Sequence, residues 1–376
     1  MEGFDVDSHA QSVVELYFTK FIMGYPLVRK EDIHDIITRR LSRKTLYSGT
    51  PIRIEEKDEY YICTFYSICM LVFQRIGKKD LAAHFFKFAK DLISRLMLYD
   101  EEDLPENRNS VGLNFELSLN ISQICIYLIG NGDMKKASIF YNIGMSFIQQ
   151  VNLFGERERG FLIAYYGFCE LMLFNEIRDQ VKCFAIIVNK HLQGNLSFIQ
   201  SSQFQTLESC MEILGILKEQ QKNLIIPNNF DIPNGYETTL HSRFDIISSH
   251  FEFLRSGLEL KSYMYLSTNP RLYEDRMKQI AEYIISLTSR PVFEDVSALI
   301  MEAVVLASKV LMKYNDPALI QGCYIALYSL EKRYSSVRKV FGDTFEMAEA
   351  KYFSMYNNPT PSVTYPNGTN YTSTYQ

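Results

Sequence analysis

Tryptophan is absent from this chain, and neither sign of charge dominates. In 376 residues, 39 Lys and Arg stand against 44 Asp and Glu, for a formal net charge of −5. That balance lacks the basic excess by which nucleic-acid binders usually announce themselves, although a local basic patch remains compatible with it. No apolar run reaches the roughly 18 residues that span a bilayer without polar interruption. The N-terminal MEGFDVDSHA is too acidic and polar for a secretory signal. An intracellular chain without a membrane segment is therefore expected. No C-x-x-C pair occurs among its seven cysteines, which sit in apolar runs and read as reduced core thiols. Their odd number also argues against a secreted disulfide framework, so the sequons at Asn120, Asn195, Asn367 and Asn370 read as chance matches.

Catalytic patterns are missing as well. None of the six histidines forms H-E-x-x-H, and His241 and His250, nine apart, fall on different faces of a helix. No G-x-S-x-G elbow occurs, and Glu101, Glu102 and Asp103 read as a solvated loop. No catalytic residue, metal site or cofactor is expected, and the chain does not read as an enzyme.

What is present is apolar helix. Hydrophobic residues make up 47% of the chain, with 26 Phe and 25 Tyr to fill a core. Helical spacing recurs almost throughout, beginning with Val13, Leu16, Tyr17 and Phe21 after Asp7-Ser8, a suitable N-cap pair. Asn269-Pro270 and Asp316-Pro317 place Pro where a first helical turn accepts it, and the last helix ends near Tyr356. The fold class expected is all-α, an irregular array of antiparallel helical hairpins forming one large body. Residues 223–239, with Pro227, Pro233 and Gly235, mark a boundary between a half at 1–223 and a second at 240–356 packed on it. Residues 357–376 carry no charge and no helical period and read as a disordered, inert tail.

The stretch GNGD at 130–133 invites a phosphate-binding reading. A dinucleotide fingerprint needs a third Gly and a preceding strand, and a P-loop needs Gly-Lys-Ser or Gly-Lys-Thr; neither occurs here. GKKDLAAHFFKFAKDLI from Gly77 instead parallels GNGDMKKASIFYNIGMSFI from Gly130. In both, Gly leads to Asp three positions on, Asp80 or Asp133, then to Ala and an aromatic pair. Gly77, Gly130 and Gly132 read as left-handed helix ends, Asp80 and Asp133 as caps of the next helix, and Ala83 and Ala137 as close-approach points. The two elbows are similar to tetratricopeptide hairpins, but their spacing of about 54 residues exceeds the roughly 34-residue period, and the consensus Trp and Pro are missing.

VVELYFTKFIMGYPLVRKEDI, with Leu16, Tyr17, Phe18 and Pro26, resembles the opening of the fungal-type transcription factor domain, the middle homology region of zinc binuclear cluster regulators. YYICTFYSICMLVFQRIGKKDLAAHFFKFAKDLI follows in similar order. The family's helix–Gly turn–helix block is matched in spacing by Ala137, Gly144, Phe147, Ile148 and Leu153, so the likeness covers about residues 8–180. A His-x-Pro-type pair is replaced by Tyr25-Pro26-Leu27, a characteristic His by Phe154-Gly155, and the six-cysteine zinc cluster is missing. The resemblance implies a non-enzymatic, nuclear, transcription-regulatory domain. It would act through a protein partner or an unidentified small ligand, with no direct DNA binding through a zinc cluster of its own. A cytoplasmic helical scaffold that binds peptides is the alternative, and a small-molecule sensor a third reading.

A compact basic run, Arg39, Arg40, Arg43 and Lys44, admits several roles. Cations at a helix end complement its dipole. They also suit a phosphate-backbone or nuclear-import contact. Arg39-Arg40-Leu41-Ser42 further resembles a basophilic kinase consensus, making Ser42 a candidate phosphorylation site.

Overall fold

The computed structural model describes residues 6–21, 30–38, 56–97, 110–150, 156–173, 176–192, 204–222 and 237–357. These residues are all-α, with no strand among them. The N-terminal part holds α1 (Val6–Leu16), prolonged by a π-helical turn at Tyr17–Phe21, and α2 (Lys30–Ile36). Next come α3 (Glu56–Arg75), α4 (Lys79–Leu96), α5 (Ser110–Gly130) and α6 (Met134–Gln150). They are followed by α7 (Glu156–Leu173), α8 (Ile177–Leu192), α9 (Leu207–Lys222) and the long α10 (Glu237–Tyr265). The C-terminal part adds α11 (Glu274–Leu287), α12 (Met301–Leu311), α13 (Pro317–Arg333) and α14 (Ser336–Asn357). Of the expected boundary at 223–239, residues 237–239 open α10 and the rest lie outside the described residues; of the expected tail at 357–376, Asn357 closes α14 and the rest lies outside them.

Helix α10 lies between two apolar cores. Phe251, Leu254 and Leu258 pack into the core built by α1–α9, while Phe253 and Leu260 face the core of α11–α14. The rotation per residue explains the division, since positions 253 and 260 are seven apart and share a stripe, as do 251, 254 and 258. Gly257 lets α10 approach α12 closely: a Cβ there would stand 2.7 Å from the Cβ of Ala303. All seven cysteines are buried. Burial pushes the Cys69 thiol well above its ordinary range. A hydrogen bond with Cys125, then burial, does the same at Cys169, so both stay protonated and unreactive.

Two helix starts illustrate local control. Asp7 and Ser8 lie inside α1, which begins at Val6, rather than ahead of it. At α13 Pro317 does stand in the first turn, as the sequence predicts, and Asp316 caps the helix, accepting from the Ala318 and Leu319 amides at 2.9 and 3.3 Å. Replacing Asp316 with Ala is expected to cost about 1 kcal/mol of stability, read as a lowered urea midpoint at an unchanged slope.

Candidate functional site

The two elbows are one motif used twice. At the end of α3, Gly77 has φ +77°; its amide donates to the Gln74 carbonyl at 3.1 Å, and the Lys78 amide to that of Phe73 at 2.8 Å. At the end of α5, Gly132 has φ +74°; its amide donates to Ile129 at 3.0 Å, and the Asp133 amide to Leu128 at 2.9 Å. Both are Schellman turns with Gly at the left-handed position. The equivalent glycines are therefore Gly77 and Gly132, 55 residues apart.

This register corrects three expectations. Gly130 is not left-handed but closes α5 as a helical residue, and a Cβ there would lie 2.7 Å from the Gln74 side-chain amide. Asp80 does not cap α4: the cap position is Lys78, without a side-chain bond, and Asp80 sits in the first turn, where a carboxylate favours the helix dipole. Asp133, the equivalent of Lys78, does stand immediately before α6, and its carbonyl accepts from the Ala137 amide at 3.0 Å. The alanine paired with Ala137 is Ala82, not Ala83. Ala82 and Ala137 are 1% and 0% exposed, whereas Ala83 faces solvent. With the register set, Phe85-Phe86 corresponds to Phe140-Tyr141, and Ala89 to Gly144.

Both elbows dock on the junction of α13 and α14. A Cβ on Gly77 would stand 3.1 Å from the Lys332 carbonyl, and one on Gly132 3.2 Å from the Ser336 Cα. Lys79 Nζ donates to the Glu331 carbonyl at 2.6 Å, and Ser336 Oγ to the Gly130 carbonyl at 2.8 Å. Gln74 ties the elbows to each other, donating to the Tyr127 carbonyl at 2.9 Å and to Asn131 Oδ1 at 3.3 Å. The GNGD turn thus presents its backbone to protein rather than to a phosphate. Removing one such tie with Ser336→Ala is expected to cost about 1 kcal/mol, measured by equilibrium urea unfolding.

Beside these turns lies a buried cationic junction around residues 293–297, the connection between α11 and α12. Arg75, in the last turn of α3, donates through Nη1 to the Phe21 carbonyl at 2.9 Å and the Asp295 carbonyl at 3.2 Å. Arg333, in the last turn of α13, donates through Nη1 to the carbonyls of Glu294, Phe293 and Val296 at 2.9, 3.1 and 3.3 Å. Aromatic faces flank both guanidinium groups: Phe21 lies 5.0 Å from Arg75, and Phe293 5.1 Å from Arg333. The Tyr334 hydroxyl donates to the Val296 carbonyl at 3.0 Å. Desolvation lowers the Arg75 pKa, yet a guanidinium keeps its proton in a protein. At the rim, Asp295 pairs with Lys20 at 3.7 Å; burial raises its pKa, against the pull of Lys20, Arg75 and Arg333.

His250 of α10 completes the junction. Its Nδ1 lies 2.8 Å from the Ile246 carbonyl and must donate; its Nε2 accepts from the Ser297 amide at 2.8 Å and lies 2.9 Å from Ser297 Oγ. These bonds assign the neutral Nδ1–H tautomer. Burial, helped by the charge of Arg75, lowers the His250 pKa to about 3. A Ser beside a His suggests a nucleophile and its base, but Nε2 here is occupied by a backbone amide and Ser297 is fully buried. The pair fixes backbone. The side chain of His241 is outside the described residues, as are Arg39, Arg40, Ser42, Arg43 and Lys44.

A second polar layer crosses the α10 seam. Lys261 Nζ donates to Gln180 Oε1 of α8 at 2.9 Å and pairs with Glu302 of α12 at 2.6 Å. Glu259 pairs with Arg255 at 3.1 Å and with Arg276 at 2.9 Å. A cavity of about 30 Å³ beside Lys261, lined also by Leu171, Leu258 and Leu306, has room for a water or two and not for a metabolite. Among the described residues no helix is long and apolar enough to cross a membrane. No family model, curated protein or solved structure matches the chain.

Proposed function

We propose that this chain is a non-enzymatic, transcription-regulatory domain of the fungal type, working in the nucleus through a protein partner or ligand. The observation that carries this reading is the α5–α6 hairpin. Two of the residues whose spacing resembles the family's helix–Gly turn–helix block make close contacts there: Ala137 is fully buried in the hairpin, and Gly144 receives the Tyr166 ring of α7. The twin elbows meeting one junction also suit a regulator, because a partner that favours one arrangement of the junction biases the whole body. The duplicated hairpin equally favours the second reading, a cytoplasmic helical scaffold.

Crosslinking the tagged protein to chromatin in its native cell, followed by sequencing of the recovered DNA, separates the two. Reproducible enrichment near promoters is the expected result. A well-expressed, recoverable protein with no enrichment would overturn the regulator in favour of the scaffold.

A further inference from the structure

The last helical hairpin carries an aromatic patch that extends from the edge of the core, where Tyr324 packs, out to solvent. Tyr324 of α13 stacks on Tyr352 of α14 with ring centroids 4.4 Å apart and on Tyr328 at 5.8 Å, and Phe353 meets Tyr324 edge-on at 5.8 Å. Tyr328 and Phe353 remain 42% and 46% exposed, and neighbouring Ile325 54%. Aromatic faces in such a group accept proline rings and further aromatic rings, as in the grooves that bind proline-containing segments.

We propose that the occupant of this patch is the chain's own C-terminal segment, residues 358–376. Its place in the chain is the first reason. Helix α14 ends at Asn357, four residues after Phe353, and the segment beyond reaches roughly 60 Å when extended. Its chemistry is the second. It carries Pro359, Pro361 and Pro366 with Tyr365, Tyr371 and Tyr375, and no Asp, Glu, Lys or Arg, so the segment brings no charged side chain to be stripped of water, and the cation beside the patch, Lys332, already lies over the Tyr328 ring at 4.4 Å. The tether is the third: a segment joined directly to its site is present there at an effective concentration on the order of millimolar, enough for stacking contacts that would be weak between separate molecules. Occupied in this way, the patch is closed to a second chain, and a partner must displace the segment to reach it. The inference does not depend on the function proposed above.

The test uses the full chain with a photoreactive benzophenone side chain in place of Gln321, which is exposed on α13 one turn before Tyr324. Irradiation followed by peptide mass spectrometry is expected to yield intrachain crosslinks to residues 358–376. Their yield should change little between about 0.1 and 1 M salt, since no ion pair is involved. In the same chain carrying Tyr365→Ala, Tyr371→Ala and Tyr375→Ala, the yield should fall about fivefold or more. Circular dichroism of the two chains keeps a folding defect apart from a docking defect. Crosslinks joining two chains would overturn the proposal in favour of a second copy as occupant. Absence of crosslinks to the segment, or a yield that the three substitutions leave unchanged, would overturn it outright.

Discussion

Taking the protein from pH 7 to pH 5 is expected to cost about 2 kcal/mol of folding stability through His250 alone. Its pKa is about 3 in the folded chain against 6.5 for the ordinary group. Below 6.5 the unfolded chain takes up a proton that the folded chain refuses, so stability is complete above that value and falls as the pH drops towards 3. The slope approaches 1.4 kcal/mol per pH unit across most of this window. The cause is geometric: both ring nitrogens are already bonded, and Arg75 stands close enough to repel an imidazolium. Asp295 works in the opposite sense, because its raised pKa lets the folded chain bind a proton before the unfolded one does. The measurement is therefore a difference, with urea midpoints at several pH values for the native chain and for His250→Gln, whose Oε1 can still accept from the Ser297 amide. The native chain should lose stability more steeply on acidification. Parallel pH profiles would mean that His250 titrates normally and that the junction is wet.

Gly144→Ala is expected to destabilise the protein by about 2–3 kcal/mol. A Cβ at this position in α6 would fall 1.7 Å from Tyr166 Oη and 2.4 Å from Cζ. The ring cannot simply swing aside, being 1% exposed and held by a hydrogen bond from its hydroxyl to the Ser118 carbonyl at 2.6 Å. Displacing it forces repacking between α5, α6 and α7 and leaves a buried hydroxyl to find a new partner. Roughly 1 kcal/mol of improved helix propensity offsets only part of this. Gly215→Ala on α9 is the internal control: nothing lies within 4 Å of an added Cβ there, so propensity alone acts and stability should rise by about 0.5–1 kcal/mol. Thermal unfolding of the two variants should move in opposite directions.

The elbows were largely readable because a left-handed helix end selects Gly and the helix period reports apolar faces directly. Their register was not, because GNGD offers two glycines and only the backbone decides which takes positive φ. Taking Gly130 as the partner of Gly77 displaced the comparison by two residues, and pairing Ala83 with Ala137 displaced it by one, which nominated an exposed alanine instead of buried Ala82. The junction was illegible for a different reason. Gln74-Arg75 and Lys332-Arg333 end apolar helices, where cations ordinarily sit in water against the dipole. Arg75 and Arg333 are instead buried because they satisfy carbonyls of a segment 220 and about 40 positions away, and His250 meets Ser297 across 47. Local patterning holds no trace of such pairings. The Lys261–Glu302 bridge and the aromatic patch of α13 and α14 are likewise products of tertiary packing.

The central claim is that segment 293–297 joins the α1–α9 half to the α11–α14 half, gripped by Arg75 from one side and Arg333 from the other. A double-mutant cycle on Arg75→Met and Arg333→Met, followed by urea unfolding at pH 7, tests it most directly. The two guanidinium groups hold the same short backbone, so loss of either should loosen the grip of the other. The double variant is then expected to be less destabilised than the summed single variants, by about 1 kcal/mol or more. Additivity to within about 0.5 kcal/mol would mean that the two arginines act independently and that the junction does not couple the halves.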